Sequence, residues 1–248
     1  MTRKKERYSF SRLSTFLNCK HGYYKRYVDN EKGVGNCFSS YGTFLHSILE
    51  QYSNGEIDLW DLTDVYERDF DAAVPESFPN TKFCPDMRKL YYEQGLEFLE
   101  NFQGHPKAKI LEIESEFNFE IDDWVFNGVI DLAFEDESGR LVVEDYKSKG
   151  AFKNKKEQAE YTRQLYLYSL HIKRKYGRFP DVLRFVLVRK QKEIDIPFRE
   201  SELKEALSWA KDTVKTIREC FDYEPSPEEF FCNQLCNHRL TCEFKATA

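Results

Sequence analysis

No part of the chain approaches 18 consecutive apolar residues, and no apolar segment follows the basic N-terminus. A membrane-spanning helix needs about 20 such residues, and a secretory signal needs an apolar core behind its basic residues. Internal repeats and low-complexity tracts are also absent. We therefore expect a cytoplasmic protein with no membrane partner.

An excess of positive charge is missing as well, since the formal net charge is -6. This value argues against a protein held on nucleic acid by bulk charge alone. It does not exclude a nucleic-acid substrate, because phosphate contacts need only a local basic surface. Lysines cluster in residues 147–156 and basic residues in 173–178. Each cluster by itself is typical of a solvated face.

The seven cysteines have neither the even number nor the export signal that usually accompanies a disulfide framework. Metal ligation or free thiols are therefore expected. Three of the thiols lie close together near the C-terminus, at Cys232, Cys236 and Cys242. Cys37, Cys84 and Cys220 have no evident partner, and we expect them to be core or surface thiols.

The chain of 248 residues, 41% of them hydrophobic, is long enough to bury a large core. Apolar spacing and turn residues predict an order of helices, three strands, a helix, a strand and a helix. This order is a mixed α/β pattern. Residues 9–29 are predicted to form a helix, a short break around Gly22 and a second helical turn or two. Further helices are predicted over 40–52, 59–73, 86–103, 155–176 and 200–220, and strands near 109–121, 124–134, 140–147 and 182–189.

The most informative residues lie on two of the predicted strands. Asp131 ends one apolar run, and Asp145 and Lys147 end the next, with a polar, glycine-containing turn over 135–140 between them. Alternation along a strand places Asp145 and Lys147 on one face. A hairpin would bring Asp131 beside them. Two close carboxylates repel unless a hard cation lies between them, and oxygen ligands suit Mg²⁺ or Mn²⁺. A charged strand end in solvent is the plainer interpretation of the same tripeptide.

Two helical motifs flank these strands in sequence. Gly42 and His46 lie one turn apart on the predicted helix 40–52, and Gln164 and Tyr168 lie one turn apart on the helix 155–176. Taken alone, His46 fits a space-filling histidine, and the second pair fits ordinary helix neighbours. Their significance depends on the order in which all four motifs occur.

Together the motifs resemble the RecB-like branch of the PD-(D/E)XK nuclease superfamily. The family pattern matches, in order, Gly42-Thr-Phe-Leu-His46, Gly128-Val-Ile-Asp131, Asp145-Tyr-Lys147 and Gln164-Leu-Tyr-Leu-Tyr168. The resemblance implies a restriction-endonuclease-like mixed β-sheet core flanked by helices, with an N-terminal helical region and a C-terminal cysteine-rich tail. It implies one nuclease domain over 1–248, divided into a helical region (1–105), a core (106–200) and a tail (201–248).

The resemblance also implies roles for single residues. His46, Asp131 and Asp145 would be ligands of Mg²⁺ or Mn²⁺, and the carbonyl of Tyr146 would complete the shell. Asp131, Asp145 and Lys147 would be the catalytic residues. Gln164 and Tyr168 would contact DNA near the cut. A lowered pKa would let Lys147 act as a base, and an ordinary pKa would leave it to orient the attacking water.

One subgroup of this superfamily has a cysteine before the nuclease core and three after it, as in AddB-type recombination nucleases and CRISPR-associated adaptation nucleases. There the four bind a structural [4Fe-4S] cluster. Cys19, Cys232, Cys236 and Cys242 correspond to them, although Cys232 and Cys236 are separated by three residues where two are common. Zinc bound by three cysteines with His21 or His238 is the alternative, since thiolates suit both.

The resulting expectation is a metal-dependent DNA exonuclease or end-processing nuclease acting on single-stranded or frayed ends. Its setting would be antiviral defence or DNA repair. The alternatives are a DNA-end binding subunit of a CRISPR adaptation or recombination complex, and a zinc-stapled endonuclease of the same fold. Intact Asp131, Asp145 and Lys147 argue against an inactive scaffold. The absence of an evident recognition domain argues against sequence-specific cutting.

Overall fold

The computed structural model describes residues 5–244, so the predicted helical region (1–105) begins, and the predicted tail (201–248) ends, outside the described residues. The chain divides into two compact units. Unit 1 combines Met1–Asn36, Asn118–Gly128 and Lys204–Ala248, and unit 2 combines Cys37–Phe117 and Val129–Leu203. The prediction of a single nuclease domain over 1–248 stays a prediction.

Three helices with an aromatic core begin unit 2. They are α3 (Cys37–Ser53), α4 (Leu62–Ala73) and α5 (Met87–Asn101), and α4 contacts both of the others. Tyr41 and Tyr66 are fully buried among them. A Cβ atom at Gly95 would lie 2.3 Å from the Tyr66 hydroxyl oxygen and 2.7 Å from that of Tyr41. Close packing against two rigid rings therefore requires glycine in the middle of α5.

The sheet is mixed. Its elements include β2 (Lys109–Ile121), β3 (Trp124–Glu135), β4 (Leu141–Lys147), α6 (Lys155–Tyr176), β5 (Val182–Leu187) and β6 (Lys192–Pro197). These strands follow the order β2-β3-β4-β5-β6, with β3–β4 and β5–β6 antiparallel and β4–β5 parallel. The helix α6 connects the parallel pair and contacts both strands. This arrangement confirms the predicted mixed α/β class with helices beside a mixed sheet.

Local hydrogen bonds explain the two elements that matter most for the site. In the β3–β4 turn, the Asp136 carboxylate accepts the backbone N–H groups of Ser138 and Arg140, at 2.9 and 3.0 Å. Helix α6 begins where the Asn154 side chain accepts the Glu157 N–H, and it ends at Gly177, whose φ of +77° is easy only for glycine. The predicted hairpin and the predicted long helix are both present.

Unit 1 contains β1 (Arg7–Tyr8), α1 (Phe10–Asn18), α2 (Lys20–Tyr23) and most of α7 (Glu200–Arg218). Strand β1 pairs in parallel with Val125 and Phe126 at the start of β3. The Arg218 guanidinium joins this unit together, since it bonds the carboxylates of Glu6 at 2.7 Å and Asp123 at 3.0 Å.

The sequence pattern missed several short elements. Over 9–29 we expected a helix, a break around Gly22 and a further helical turn. The break lies at Cys19, between α1 and α2, and a π-helical turn, Tyr24–Val28, follows. A second π-helical turn spans Phe231–Leu235. Neither β1 nor β6 was expected. Strand β6 carries charged residues and is largely exposed, so it lacks the apolar run that identifies a buried strand. Within residues 5–244, no helix is both long and apolar enough to cross a membrane.

Candidate active site

The β3–β4 hairpin brings the two predicted aspartates together in unit 2. Leu132 of β3 pairs with Glu144 of β4, and Asp131 is the residue immediately before Leu132. The Asp131 carboxylate accepts the backbone N–H of Tyr146 at 2.9 Å. Asp145 is buried on β4. The antiparallel register therefore positions both carboxylates at the same end of the hairpin.

Lys147 lies on the same face of β4 as Asp145. Its Nζ atom is 2.6 Å from the Asp145 carboxylate and donates a hydrogen bond to the side-chain amide oxygen of Gln164 at 3.3 Å. Burial acts to lower the pKa of Lys147, but the carboxylates of Asp145 and Asp131 outweigh it and raise the pKa. In this metal-free environment the side chain is therefore a charged ammonium. The role of Lys147 beside a bound metal stays a prediction.

Helix α6 supplies the two residues beside this lysine. Gln164 donates from its amide nitrogen to the Tyr168 hydroxyl at 2.9 Å, so the pair one turn apart continues the chain of hydrogen bonds from Lys147. Tyr168 is only 6% exposed. Its hydroxyl faces the site from within the unit, and burial raises the pKa of Tyr168. Gln164 is thus held at both ends of its amide group.

Helix α3 presents His46 to the hairpin. Its Nε2 atom is 2.9 Å from the Tyr146 carbonyl oxygen, and its Nδ1 atom is 3.6 Å from the Asp131 carboxylate. One turn earlier, a Cβ atom at Gly42 would lie 3.2 Å from the Ser148 hydroxyl oxygen. The small residue lets α3 approach the end of β4 closely. The predicted ligands His46, Asp131 and the Tyr146 carbonyl are therefore neighbours, and Asp145 lies beside Lys147.

Glu114 is a site residue that the sequence motifs did not identify. Its Oε1 atom is 3.1 Å from His46 Nδ1. One ligand atom each from His46, Glu114 and Asp131 lie within 4.8 Å of one another. In the sequence, Glu112, Glu114 and Glu116 alternate identically along one predicted strand, so no pattern distinguishes the middle one.

The electrostatics of the site favour a bound cation. Burial and the neighbouring Asp145 raise the pKa of Asp131 above its usual value. Burial also acts to lower the pKa of His46, but its hydrogen bond to Glu114 and the nearby carboxylates raise the pKa to about 9. Carboxylates, an imidazole and a backbone carbonyl are ligands that a divalent ion accepts, and an ion would relieve the repulsion between the acids.

The four cysteines of the predicted cluster lie together in unit 1. Cys19, Cys232, Cys236 and Cys242 line one cavity as free thiols. Three of the sulfurs accept backbone N–H groups at 3.4 Å, from Gly22 to Cys19, from Glu228 to Cys232 and from His238 to Cys236. At Cys236, burial outweighs the contact with the His238 N–H and raises the pKa of the thiol. Cys37, Cys84 and Cys220 are not among the residues that line this cavity.

The two histidines of the alternative zinc site are also in unit 1. His238 lines the same cavity and is 4% exposed; its Nδ1 atom is 3.3 Å from the Glu31 carboxylate. Its Nε2 atom is buried without a hydrogen-bond partner among the described residues. Ligand atoms of His21, Cys242 and Glu243 lie within 4.8 Å of one another.

A family model described as the PD-(D/E)XK nuclease superfamily matches residues 7–245. The chain belongs to the PD-(D/E)XK nuclease superfamily. The match spans both units and all four motifs, and the mixed sheet flanked by helices is the restriction-endonuclease-like fold of this superfamily. PD-(D/E)XK nucleases act on DNA and generally use Mg²⁺ or Mn²⁺.

The solved structures that are similar to the chain include two crystal structures. The crystal structure of a putative exonuclease from Eubacterium rectale has 12% identity and a TM-score of 0.55, covering 98% of this chain and 91% of that one. At this identity the likeness concerns the fold alone. The crystal structure of SSO0001 has 14% identity and a TM-score of 0.40, covering 100% of this chain and 90% of that one. A search of curated proteins finds no match.

Proposed function

We propose that this PD-(D/E)XK protein is a metal-dependent DNA exonuclease or end-processing nuclease that hydrolyses phosphodiester bonds. The observation that carries the proposal is the convergence of Asp131, Asp145 and Lys147 with His46 in unit 2. The contacts are the 2.6 Å ion pair between Asp145 and Lys147 and the 3.6 Å approach of His46 to Asp131. A binding-only protein has no need of two close carboxylates, one of them buried, beside a largely buried ammonium.

In this proposal, His46, Asp131, Asp145 and the Tyr146 carbonyl hold Mg²⁺ or Mn²⁺. The donor set fits such an ion, since it combines hard oxygens with one nitrogen. A bound divalent cation supplies a water of lowered pKa and neutralises charge on the phosphoryl oxygens. All four of these residues belong to unit 2.

Lys147 has a different role from the ligands. As a charged ammonium, it orients the attacking water and stabilises the developing negative charge of the phosphoryl group. Gln164 fixes the ammonium from α6, and Tyr168 fixes Gln164. We further propose that this face of α6 contacts the DNA strand near the cut. A preference for single-stranded or frayed ends belongs to the same proposal and rests on the resemblance to the RecB-like branch.

The cysteine cavity of unit 1 is proposed to hold a structural [4Fe-4S] cluster. Four thiols that line one cavity supply the ligand set that such a cluster takes. The free Nε2 of His238 is the feature that favours the zinc alternative.

The activity test uses end-labelled single-stranded, duplex and circular DNA with Mg²⁺, Mn²⁺ or chelator. We expect metal-dependent shortening from ends, and a loss of about 10²–10⁴-fold in rate for Asp145→Ala and for Lys147→Ala. Matched controls are Glu137→Ala and Lys107→Ala, which remove exposed charges of the same unit. These should keep the wild-type rate.

Each other outcome has a defined meaning. Cutting of circular DNA would replace the exonuclease with an endonuclease of the same fold. Binding without cutting would favour a DNA-end binding subunit of a CRISPR adaptation or recombination complex. Iron and acid-labile sulfide in the purified protein, with visible absorption, support the cluster. Stoichiometric zinc without iron would contradict it.

A further inference from the structure

Glu114 has an unusual backbone for a residue inside a strand. Its φ is +39°, in the left-handed region that side chains other than glycine rarely adopt. It lies in the middle of β2, whereas the other described non-glycine residues with positive φ, Asn30, Asp122 and Gln191, lie outside strands. A conformation of this kind persists only where the surrounding contacts hold it, so the contacts of Glu114 and its neighbours carry information about function.

The side-chain alternation of β2 shifts by one residue around Glu114. Before it, the buried Glu112 carboxylate bonds Lys175 of α6 at 2.6 Å. After it, Phe117 packs on Tyr168 and His171 of the same helix, with ring centroids 5.0 and 4.7 Å away. Residues five apart share a face only if one extra residue is inserted between them, as in a β-bulge. Because of the extra residue, the Glu114 side chain does not lie on the face of β2 that α6 covers.

The freed side chain of Glu114 reaches His46 on α3. Its Oε1 atom is 3.1 Å from Nδ1, while Nε2 on the other side of the ring is 2.9 Å from the Tyr146 carbonyl oxygen. A carboxylate that accepts the N–H of one ring nitrogen leaves the other nitrogen as the metal donor, and such carboxylate–histidine–metal pairs orient the ring. The bulge thus positions Glu114 to contact Nδ1, and Nε2 of His46 faces the Tyr146 carbonyl.

We propose that Glu114 is a positioning residue of the metal centre: it holds Nδ1–H of His46, so that Nε2 binds the divalent ion beside the Tyr146 carbonyl. The inference rests on the proposed function, because it requires a metal at this site. In this proposal Glu114 makes no direct bond to the ion. In the alternative, Glu114, Nδ1 of His46 and Asp131 themselves ligate the ion.

Metal affinity of conservative variants separates these two roles. Mn²⁺ binding to the full-length protein is measured by calorimetry for wild type, Glu114→Gln and Glu114→Ala. The glutamine oxygen still accepts Nδ1–H, so Glu114→Gln should bind Mn²⁺ nearly as tightly as wild type. Glu114→Ala should bind about 10–100-fold more weakly. If both variants lose the same affinity, or neither loses any, the positioning role is wrong.

A matched control comes from the same strand. Glu116→Ala removes an exposed glutamate two residues further along β2 and should leave Mn²⁺ binding unchanged. If Glu114→Ala unfolds, Glu114→Gly serves instead, because glycine tolerates the positive φ while lacking the carboxylate. Glycine should give the same loss of affinity, about 10–100-fold.

A spectroscopic readout tests the ring nitrogen directly. The chain has five histidines, so ¹⁵N imidazole spectra can be assigned by comparison with His46→Gln. In wild type, Mg²⁺ should shift the Nε2 resonance of His46 and leave Nδ1 protonated. A shift at Nδ1 instead would overturn the proposal and indicate ligation on the Glu114 side.

The failure of this inference can be distinguished from failure of the proposed function. If wild type binds no Mn²⁺, or if Asp145→Ala binds it as tightly as wild type, the metal-dependent nuclease itself is wrong. If Asp145→Ala loses the ion while Glu114→Gln and Glu114→Ala behave alike, only the role of Glu114 is wrong.

Discussion

At the scale of single residues, the proposed metal site contains carboxylates whose charged form is disfavoured by burial. Asp145 is buried, and it contributes with burial to the raised pKa of Asp131. Lys147 and His46 supply the compensating positive charge of the metal-free protein. A divalent ion at the site would replace the positive charge of His46, because the nitrogen that binds the ion must lose its proton.

Metal binding should therefore depend on pH. The pKa of His46 is raised to about 9 and that of Asp131 is raised above its usual value, so protons compete with the ion below those values. Mn²⁺ affinity should rise with pH toward about 9, by about tenfold per pH unit for one displaced proton, and level off above it. Calorimetry in buffers of different ionisation enthalpy should detect about one proton released per ion at mildly alkaline pH.

The control for this prediction is His46→Gln. Without the imidazole, release of a proton at mildly alkaline pH should disappear, while the weaker competition at Asp131 remains at lower pH. An affinity for Mn²⁺ that does not change between about pH 6 and 9 would contradict the assignment of His46 as a ligand.

At the scale of elements, β2 and α6 are joined by an ion pair whose carboxylate, Glu112, is buried. The Glu112 carboxylate accepts bonds from Lys175 at 2.6 Å and from the Tyr176 hydroxyl at 2.7 Å. Burial acts to raise the pKa of Glu112, but these partners lower it to about 2. The same helix carries Gln164 and Tyr168, and the same strand carries Glu114. The ion pair therefore fixes the two elements that approach the proposed site from different sides.

Glu112→Gln should lower the free energy of unfolding by about 1–3 kcal/mol at neutral pH, because it removes a buried charge that several donors bind. A depressed pKa stabilises the fold above the unfolded value of about 4.3, and this contribution disappears as the pH falls toward 2. Urea unfolding of wild type and Glu112→Gln should therefore converge as the pH falls below about 4.

Glu116→Gln is the matched control for Glu112, since it changes an exposed carboxylate on the same strand. It should alter stability by less than about 0.5 kcal/mol. A difference between wild type and Glu112→Gln that stays constant from neutral to acidic pH would show that the ion pair is not responsible.

At the scale of the whole molecule, the cysteine cavity joins residues from opposite ends of the sequence. Cys19 comes from the first helices, and Cys232, Cys236 and Cys242 come from the tail, all within unit 1. A hydrogen bond of 3.0 Å from the Asn36 side chain to the Leu235 carbonyl also links the two ends. A metal group bound by these thiolates would close a very long loop and restrict the unfolded chain.

Cys236→Ala should lose the visible chromophore and destabilise unit 1 together, because the remaining three thiols no longer satisfy the metal group. Absorption and iron content measure the first effect, and hydrogen exchange in the segments of unit 1 measures the second. Cys220→Ser is the control, since its thiol bonds the Asp222 carbonyl and does not line the cavity. A Cys236→Ala protein with normal folding and full activity would disprove the structural role.

The fold class could be predicted because long apolar periodicities decide whether a segment is a helix or a strand. The hairpin that positions Asp131 and Asp145 follows from two alternating runs and a turn, and His46 and Gln164 were found through ordered motifs. The short β1, the charged edge strand β6 and the π-helical turns carry too few residues or too little apolar pattern to be recognised in this way.

What the sequence determined by itself was the set of chemical groups and their positions on local elements, because alternation and helical spacing depend only on nearby residues. The tertiary structure decided the contact of Glu114 with His46, the raised pKa of Lys147 and the grouping of Cys19 with the tail. Each of these depends on burial and on contacts between residues distant in sequence. A bulge, a buried charge and a shared cavity exist only once the elements have packed.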